Sequence, residues 1–268
     1  MRRLALNGRV VWITGASSGI GEAVAYECAR QGARLILTAR RRTLLEVVAA
    51  HCVELGAPVA RVLEADLGRL DDLPALAQQA WDLLGGIDVL YNNAGISQRG
   101  LALDTTREVL QRVMTLDYFS PVLLSQAVVP MMIRRGGGHV VATTSIAGRF
   151  GFPLRSAYSS AKHALYGYYE TLQAETYGQG IRVTLVCPGR VQTEISRHAL
   201  ESDGTEHGRM DEGQAGGLAP SKAARTIVRA FCRGKREVLV GGGELLMVYI
   251  KRFVPGLCAR LARRIRPT

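Results

Sequence analysis

Short β-branched runs alternate with longer stretches of helical periodicity along this chain. The runs RVVWIT (9–14), RLILTA (34–39), VARVLEA (59–65), IDVLYN (87–92), HVVATTS (139–145), IRVTLVC (181–187) and EVLVGG (237–242) read as seven strands. Between them, EAVAYECARQG, stopped by Gly32, and LDDLPALAQQAWDLLGG, ending in a glycine pair, read as helices. Strands apolar throughout and separated by helices predict a parallel sheet covered on both faces, with right-handed crossovers, in the doubly wound α/β plan. No internal repeat or low-complexity linker interrupts it. One long irregular segment, 194–220, is of the length at which loops in compact domains act as lids or stay disordered.

Composition sharpens this picture at two points. With 268 residues, 47% hydrophobic and 21% charged, the chain suits one larger α/β domain and excludes disordered and fibrous classes. The formal charge of +11 favours an anionic partner, but Lys251, Arg252, Arg260, Arg263, Arg264 and Arg266 fall in the last eighteen residues with no acid among them. A domain over 1–244 and a basic tail over 245–268 are therefore expected. In the tail Tyr249, Phe253, Leu257, Leu261 and Ile265 recur every four residues, the pattern of an interfacial amphipathic helix, and Pro255-Gly256 should split it in two. Peripheral membrane contact is one reading; packing on the chain's own domain or on a neighbouring subunit is the other.

Cys28, Cys52, Cys187, Cys232 and Cys258 are odd in number and contain no Cys-x-x-Cys pair, which suggests a reducing compartment rather than a disulfide framework or zinc site. The N-terminal residues lack a signal-sequence pattern, and no apolar run approaches the roughly 20 residues of a spanning helix, so a cytoplasmic protein is expected. His51, His139, His163, His198 and His207 show no metal-ligand spacing and are expected at the surface or in loops.

The first strand runs into TGASSGIGEA, where Gly15, Gly19 and Gly21 precede a helix. Glycines there let the backbone turn tightly and approach a pyrophosphate, while the helix N-terminus offers amide hydrogens. An acidic residue ending the second strand would bond a ribose 2′-hydroxyl, but this chain has Ala39 and then Arg40-Arg41-Arg42. NADP(H) is thus expected over NAD(H), with Arg40 on the 2′-phosphate and Arg41 and Arg42 in a solvated helix start.

Three further motifs complete the set: NNAG (92–95), Ser145 near the end of the fifth strand, and Tyr158 with Lys162 four residues later. Together with TGASSGIG they resemble the classical short-chain dehydrogenase/reductase family over almost the whole chain. The resemblance implies a cofactor site from Gly15, Ser17, Ser18, Gly19, Ile20 and Gly21, from Asp66 and Leu67 beside the adenine, and from Asn93, Ala94 and Gly95. It adds Pro188, Gly189, Val191 and Thr193 at the nicotinamide half, with Asn92 steadying the strand behind. It also implies Ser145, Tyr158 and Lys162 as catalytic residues, and a homodimer or homotetramer assembled partly through the Tyr158 helix. The stretch SDG followed by GRMD (202–211), with PGLCARLARR, is similar to the family's 7B-type branch, implying a lipophilic carbonyl or alcohol substrate.

The residue types suit hydride chemistry. Moving a hydride to or from a carbonyl carbon requires a proton at the substrate oxygen, and a free tyrosine, with a pKa of about 10, is a poor base at neutral pH. A lysine ammonium at i+4 shares its helix face and favours the phenolate, while Ser145 would orient the substrate oxygen. Tyr166, Tyr168 and Tyr169 have no such lysine and are expected to pack.

One position departs from the family pattern: Asp117 stands in VMTLDYFSPVLL where an asparagine usually anchors a proton relay. An ionised carboxylate only accepts hydrogen bonds and would share the Lys162 charge, weakening its help to Tyr158. A nucleotide-binding regulatory or scaffold protein without turnover is the alternative that this residue raises. No recognisable nucleic-acid-binding module is present.

Overall fold

The computed structural model describes residues 4–265, so Arg266 of the basic tail lies outside the described residues. The strands are β1 (Val10–Thr14), β2 (Arg34–Ala39), β3 (Ala60–Glu64), β4 (Val89–Asn92), β5 (Gln98–Arg99), β6 (Gly138–Thr143), β7 (Ile181–Pro188), β8 (Leu200–Glu201) and β9 (Glu237–Val240). Seven form one sheet in the order β3-β2-β1-β4-β6-β7-β9, every pairing parallel, while β5 and β8 pair apart from it. The order reverses direction between β1 and β4, and ligands of doubly wound sheets bind at that switch point, beyond the carboxyl ends of the strands.

The helices are α1 (Gly19–Ala29), α2 (Arg42–Glu54), α3 (Leu73–Leu83), α4 (Arg107–Met114), α5 (Ser120–Arg134), α6 (Ser156–Glu175), α7 (Glu212–Ala215), α8 (Pro220–Cys232), α9 (Leu246–Phe253) and α10 (Pro255–Ala262). Alternation along each strand divides the core. Val11 and Ile13 of β1 join the layer of α1, α2 and α8, whereas Val10 and Trp12 face α3, α5 and α6. Trp12 is fully buried and donates its indole N–H to Thr38 Oγ1 at 2.8 Å, so the largest core side chain carries no unpaired donor. Side chains of this size contribute about 1.5–3 kcal/mol each on burial.

Four sequence expectations change here. His139 is buried in β6, where its Nε2 lies 2.9 Å from Thr184 Oγ1 and its ring meets Phe231 edge-on. Burial, then the nearby Arg182 charge, pushes it down to about 3, so it stays neutral in the fold. The His207 side chain is buried too, between Glu201 and Asp211. Segment 194–220 is neither bare loop nor loose: it contains β8 and α7. Finally, the helical run Arg107–Arg134 is long and apolar enough to cross a membrane by length and composition, contrary to the expectation that no such run exists. More than half of that window is buried, and Leu124, Val128, Val129 and Met132 pack in the core beside α3. The basic tail divides at Pro255 into α9 and α10 as its sequence predicts.

Candidate active site

At the β1–α1 turn, Gly19 holds a left-handed φ of 62°, and a Cβ there would sit 2.9 Å from Thr193 Cγ2, filling the cradle in front of the helix N-terminus. Gly21 serves packing instead. A Cβ on it would run into the Gly15 carbonyl oxygen, and it does not line the cavity, so its place in the expected cofactor set is corrected to one behind it. Asn93 ties the next strand to this turn: its Nδ2 donates to Thr14 O at 3.1 Å, and its amide and that of Ala94 donate to Thr14 Oγ1.

Arg41 departs from the solvated reading. Its guanidinium donates to Ser17 Oγ at 3.1 Å and to Ser18 Oγ at 3.0 Å, bringing a cation onto the glycine turn. Arg40 lines the same cavity, as do Ala39, Asp66 and Leu67. Arg42 instead pairs with Glu46 along α2, as the solvated reading expects.

The other end of the cavity carries the reactive groups. Ser145 lies two residues past β6 and caps a short 3₁₀ turn, its Oγ accepting from the Ala147 amide at 3.1 Å. Tyr158 and Lys162, both buried on α6, face the same cavity, with Lys162 Nζ 5.5 Å from the Tyr158 ring centroid. That Nζ donates to the Thr143 carbonyl oxygen at 3.1 Å and lies 3.1 Å from Asp117 Oδ2 in an ion pair without good hydrogen-bond alignment.

Asp117 reaches Lys162 because the helix is locally widened. Residues Thr115–Phe119 form a π turn between α4 and α5, and such turns recur where a helix must aim a residue at a site. The carboxylate is fully buried, with Oδ1 accepting from the Ile96 amide at 2.8 Å. Burial pushes the Asp117 carboxyl up from its ordinary value, opposed by the Lys162 charge and the Ile96 amide. For Lys162, burial acts downward, but Asp117 and then Tyr158 outweigh it and hold the ammonium above its ordinary value.

The cavity, about 570 Å³, runs from Arg40 and Arg41 past Ser17, Ser18, Ile20 and Gly15 to Ser145, Tyr158, Lys162 and Asp117. Gly95, Pro188, Gly189, Val191 and Thr193 line it as well, so nearly all the expected cofactor positions converge on one space. Gly19 leaves its cradle open, and Arg40 and Arg41 supply cations at one end, so the residues present fit a dinucleotide. Asn92 stands behind, its Nδ2 within 3.0 Å of Ser125 Oγ and Tyr169 OH and 3.2 Å of Pro121 O, joining β4 to α5 and α6. Tyr169 is thus a core residue, as expected, and Tyr166 is buried as well.

Sequence reasoning misses a second charged cluster. Arg99 and Arg155 both line the cavity, and both bond the buried carboxylate of Asp211 in segment 194–220: Arg99 Nε at 3.1 Å, its Nη2 more closely, and Arg155 Nη2 at 3.0 Å. Burial, and then the like charge of Arg99, push the Arg155 guanidinium down to about 10. Leu154, the residue before it, holds a left-handed φ of 60°, and its carbonyl accepts from the Gly100 amide at 3.0 Å. The only sequence signal for this cluster is Asp211 itself, the last residue of the quoted GRMD, because its partners lie 56 and 112 positions away.

A crevice at the switch point, a glycine turn at one end and a buried tyrosine–lysine pair with a nearby serine at the other define a nicotinamide-dependent dehydrogenase architecture. The chain belongs to the short-chain dehydrogenase family, whose model matches residues 9–204. It is 41% identical over 239 residues to "Dehydrogenase/reductase SDR family protein 7-like" of Anopheles gambiae, covering 88% of this chain and 75% of that one. It is 39% identical over 269 residues to "Dehydrogenase/reductase SDR family member 7B" of Bos taurus, covering 97% and 82%. Among solved structures, a short chain dehydrogenase/reductase from Burkholderia phymatum in complex with NAD superposes with a TM-score of 0.83 at 22% identity, covering 99% of this chain and 98% of that one. An alcohol dehydrogenase from the archaeon Thermococcus sibiricus, complexed with 5-hydroxy-NADP, gives 0.76 at 24% identity over 88% and 97%.

Proposed function

We propose that the chain is an NADP(H)-dependent oxidoreductase that interconverts a carbonyl and an alcohol on a lipophilic small molecule. The observation that carries this is the single cavity with Arg40 and Arg41 at one end and Ser145, Tyr158 and Lys162 at the other. When bound, the nicotinamide cofactor supplies or accepts the hydride. Tyr158 gives its phenolic proton to the substrate oxygen during reduction and takes it back during oxidation. Lys162 stabilises the phenolate between those events, and the Ser145 hydroxyl orients the substrate oxygen. Asp117 is a positioning residue for Lys162. An apolar wall of Ile96, Leu116, Ile195 and Leu200 supports a lipophilic substrate.

A panel of carbonyls and alcohols ordered by chain length and ring size, assayed with NADP(H) and NAD(H), tests the reading. Measurable NADPH binding with no turnover across that panel would leave the regulatory or scaffold alternative.

The NADP(H) preference rests on Arg40 and Arg41, with Arg41 already oriented on the glycine turn. A charge-assisted hydrogen bond contributes about 1.5–3 kcal/mol, or roughly 10- to 100-fold in affinity. Arg41→Ala should therefore raise the KM for NADPH about tenfold or more with little change for NADH, and Arg40→Ala should do so to a smaller extent. Equal effects on both cofactors would count against a phosphate clamp.

Asp117 sets a pH dependence. Asp117→Asn removes a negative charge 3.1 Å from the ammonium, so more of the Lys162 field reaches the phenolate. It also removes the group that holds the buried Lys162 protonated. The first change moves the rising limb of the pH–rate profile for alcohol oxidation to lower pH, by about one unit, and the second brings the alkaline fall-off to lower pH as Lys162 loses its proton; identical profiles for the two proteins would remove the role.

Five buried cysteines, odd in number and without a Cys-x-x-Cys pair, support a reducing, cytoplasmic setting. Exposed Leu103, Leu110 and Phe119, on and beside α4, support assembly as a homodimer or homotetramer next to α6. We treat 1–244 as the catalytic unit and 245–268 as an appended tail.

A further inference from the structure

α9 and α10 have two unlike faces. Met247, Val248, Ile250, Cys258 and Ile265 turn inward onto Ile146, Phe150 and Cys187, so the pair is docked on its own domain. Leu246, Tyr249, Phe253, Val254 and Leu257 remain outside, Phe253 at 76% exposure and Leu246 at 61%. The bend at Val254–Pro255 places Phe253 and Val254 at the junction of the two helices, where they protrude together. Packing of the tail on its own domain is therefore real, yet it accounts for only half of the tail's apolar residues.

Charge identifies what covers the other half. From 245 to 265 the chain holds Lys251, Arg252, Arg260, Arg263 and Arg264 and no acid. None of these five pairs with an acid among the described residues. A symmetric contact between two copies would set these cations against their own equivalents, which is repulsive. An anionic bilayer offers the opposite sign together with an apolar layer for the protruding side chains.

A groove of about 640 Å³ adjoins α10, lined by Phe152, Pro153, Ser156, Ser159 and Arg263. The Ser156 and Ser159 hydroxyls are buried there without hydrogen-bond partners, although Ser159 is more than nine-tenths buried.

We infer that the α9–α10 pair is a bilayer-docking hairpin that inserts Phe253, Val254 and Leu257 among the lipids of an anionic membrane while its arginines meet the headgroups. This goes beyond the catalytic reading and does not depend on it. Co-sedimentation of the full chain with phosphatidylcholine vesicles, and with vesicles of phosphatidylcholine and phosphatidylglycerol in equal parts, tests it without an activity readout. About tenfold stronger pelleting with the anionic vesicles is expected, as apolar insertion and cation–headgroup attraction act together. It should be lost in Phe253→Glu/Leu257→Glu and reduced in Lys251→Gln/Arg252→Gln/Arg260→Gln. Both variants alter exposed positions, and an unchanged thermal midpoint would confirm that they fold. Equal pelleting of the wild type with the two vesicles, or of the wild type and the Glu variant, overturns the inference. So does a dimer that the Glu variant dissociates, since the surface would then be a contact between copies.

Discussion

Tyr158→Phe should lower turnover about 10²- to 10⁴-fold, the range that general acid–base catalysis supplies, while leaving NADPH affinity and thermal stability near those of the wild type. The separation is expected because the Tyr158 hydroxyl makes no hydrogen bond within the described chain, so its removal strands no buried partner. Steady-state kinetics paired with NADPH fluorescence titration checks it. A variant that keeps most of its activity would show that another group moves the proton. Lys162 gives a contrasting case. Its ammonium is held by the Thr143 carbonyl and by Asp117, so Lys162→Ala should lower turnover and stability together, because a fully buried carboxylate is left unpaired.

Asp211→Ala should be the most destabilising single change at the site. It removes the one carboxylate shared by Arg99 and Arg155, leaving two guanidiniums that no other acid pairs with among the described residues. Removing one partner of a buried ion pair costs about 3–5 kcal/mol. For a chain of this size that is a fall in thermal midpoint on the order of 10 °C. The same change should loosen segment 194–220 around Asp211, where the β5–β8 pairing, the Val191–Leu218 bridge and the Gln214 contacts remain to hold it. Tryptic cleavage after Arg197 or Arg209 should therefore become faster than in the wild type. An unaltered midpoint with unaltered proteolysis would mean that solvent, rather than Asp211, compensates the arginines.

The sheet was readable because its central strands are apolar runs beside glycines, while the edge strand β3, ARVLE, exposes Arg61 and Glu64. Each of the seven runs corresponds to a strand within one residue at either end, apart from the start of β4, two residues later, and the ends of β6 and β9, two residues earlier. The cofactor turn and the Tyr158–Lys162 pair were equally accessible, since each is a local motif whose meaning lies in spacing along one element. Contacts between distant segments were not accessible. Nothing within a few residues of Arg41 indicates that its guanidinium turns back onto Ser17 and Ser18, and nothing near Arg99 points to Asp211. Histidines show the same limit: His139 looks polar in the sequence, but its position in a central strand decides its burial.

The π turn at Thr115–Phe119 constrains how this helix can change. One residue of an α-helix advances about 100° around its axis, so the wider turn lets the segments before and after it be phased independently. Before it, Val109 and Val113 face the small cluster beside Tyr158; after it, Leu124, Val128 and Met132 face the sheet. Deleting a single residue between 115 and 119 would restore an uninterrupted helix whose flanking segments keep their facing, because the π turn takes up one extra residue, but the widening that aims Asp117 would be gone. Asp117 would leave Lys162 while Pro121 and Ser125 stay on Asn92. Asp117 aside, the segment can thus accept substitutions more readily than a change in length, which makes residue count a requirement beside the one carboxylate between Thr115 and Phe119.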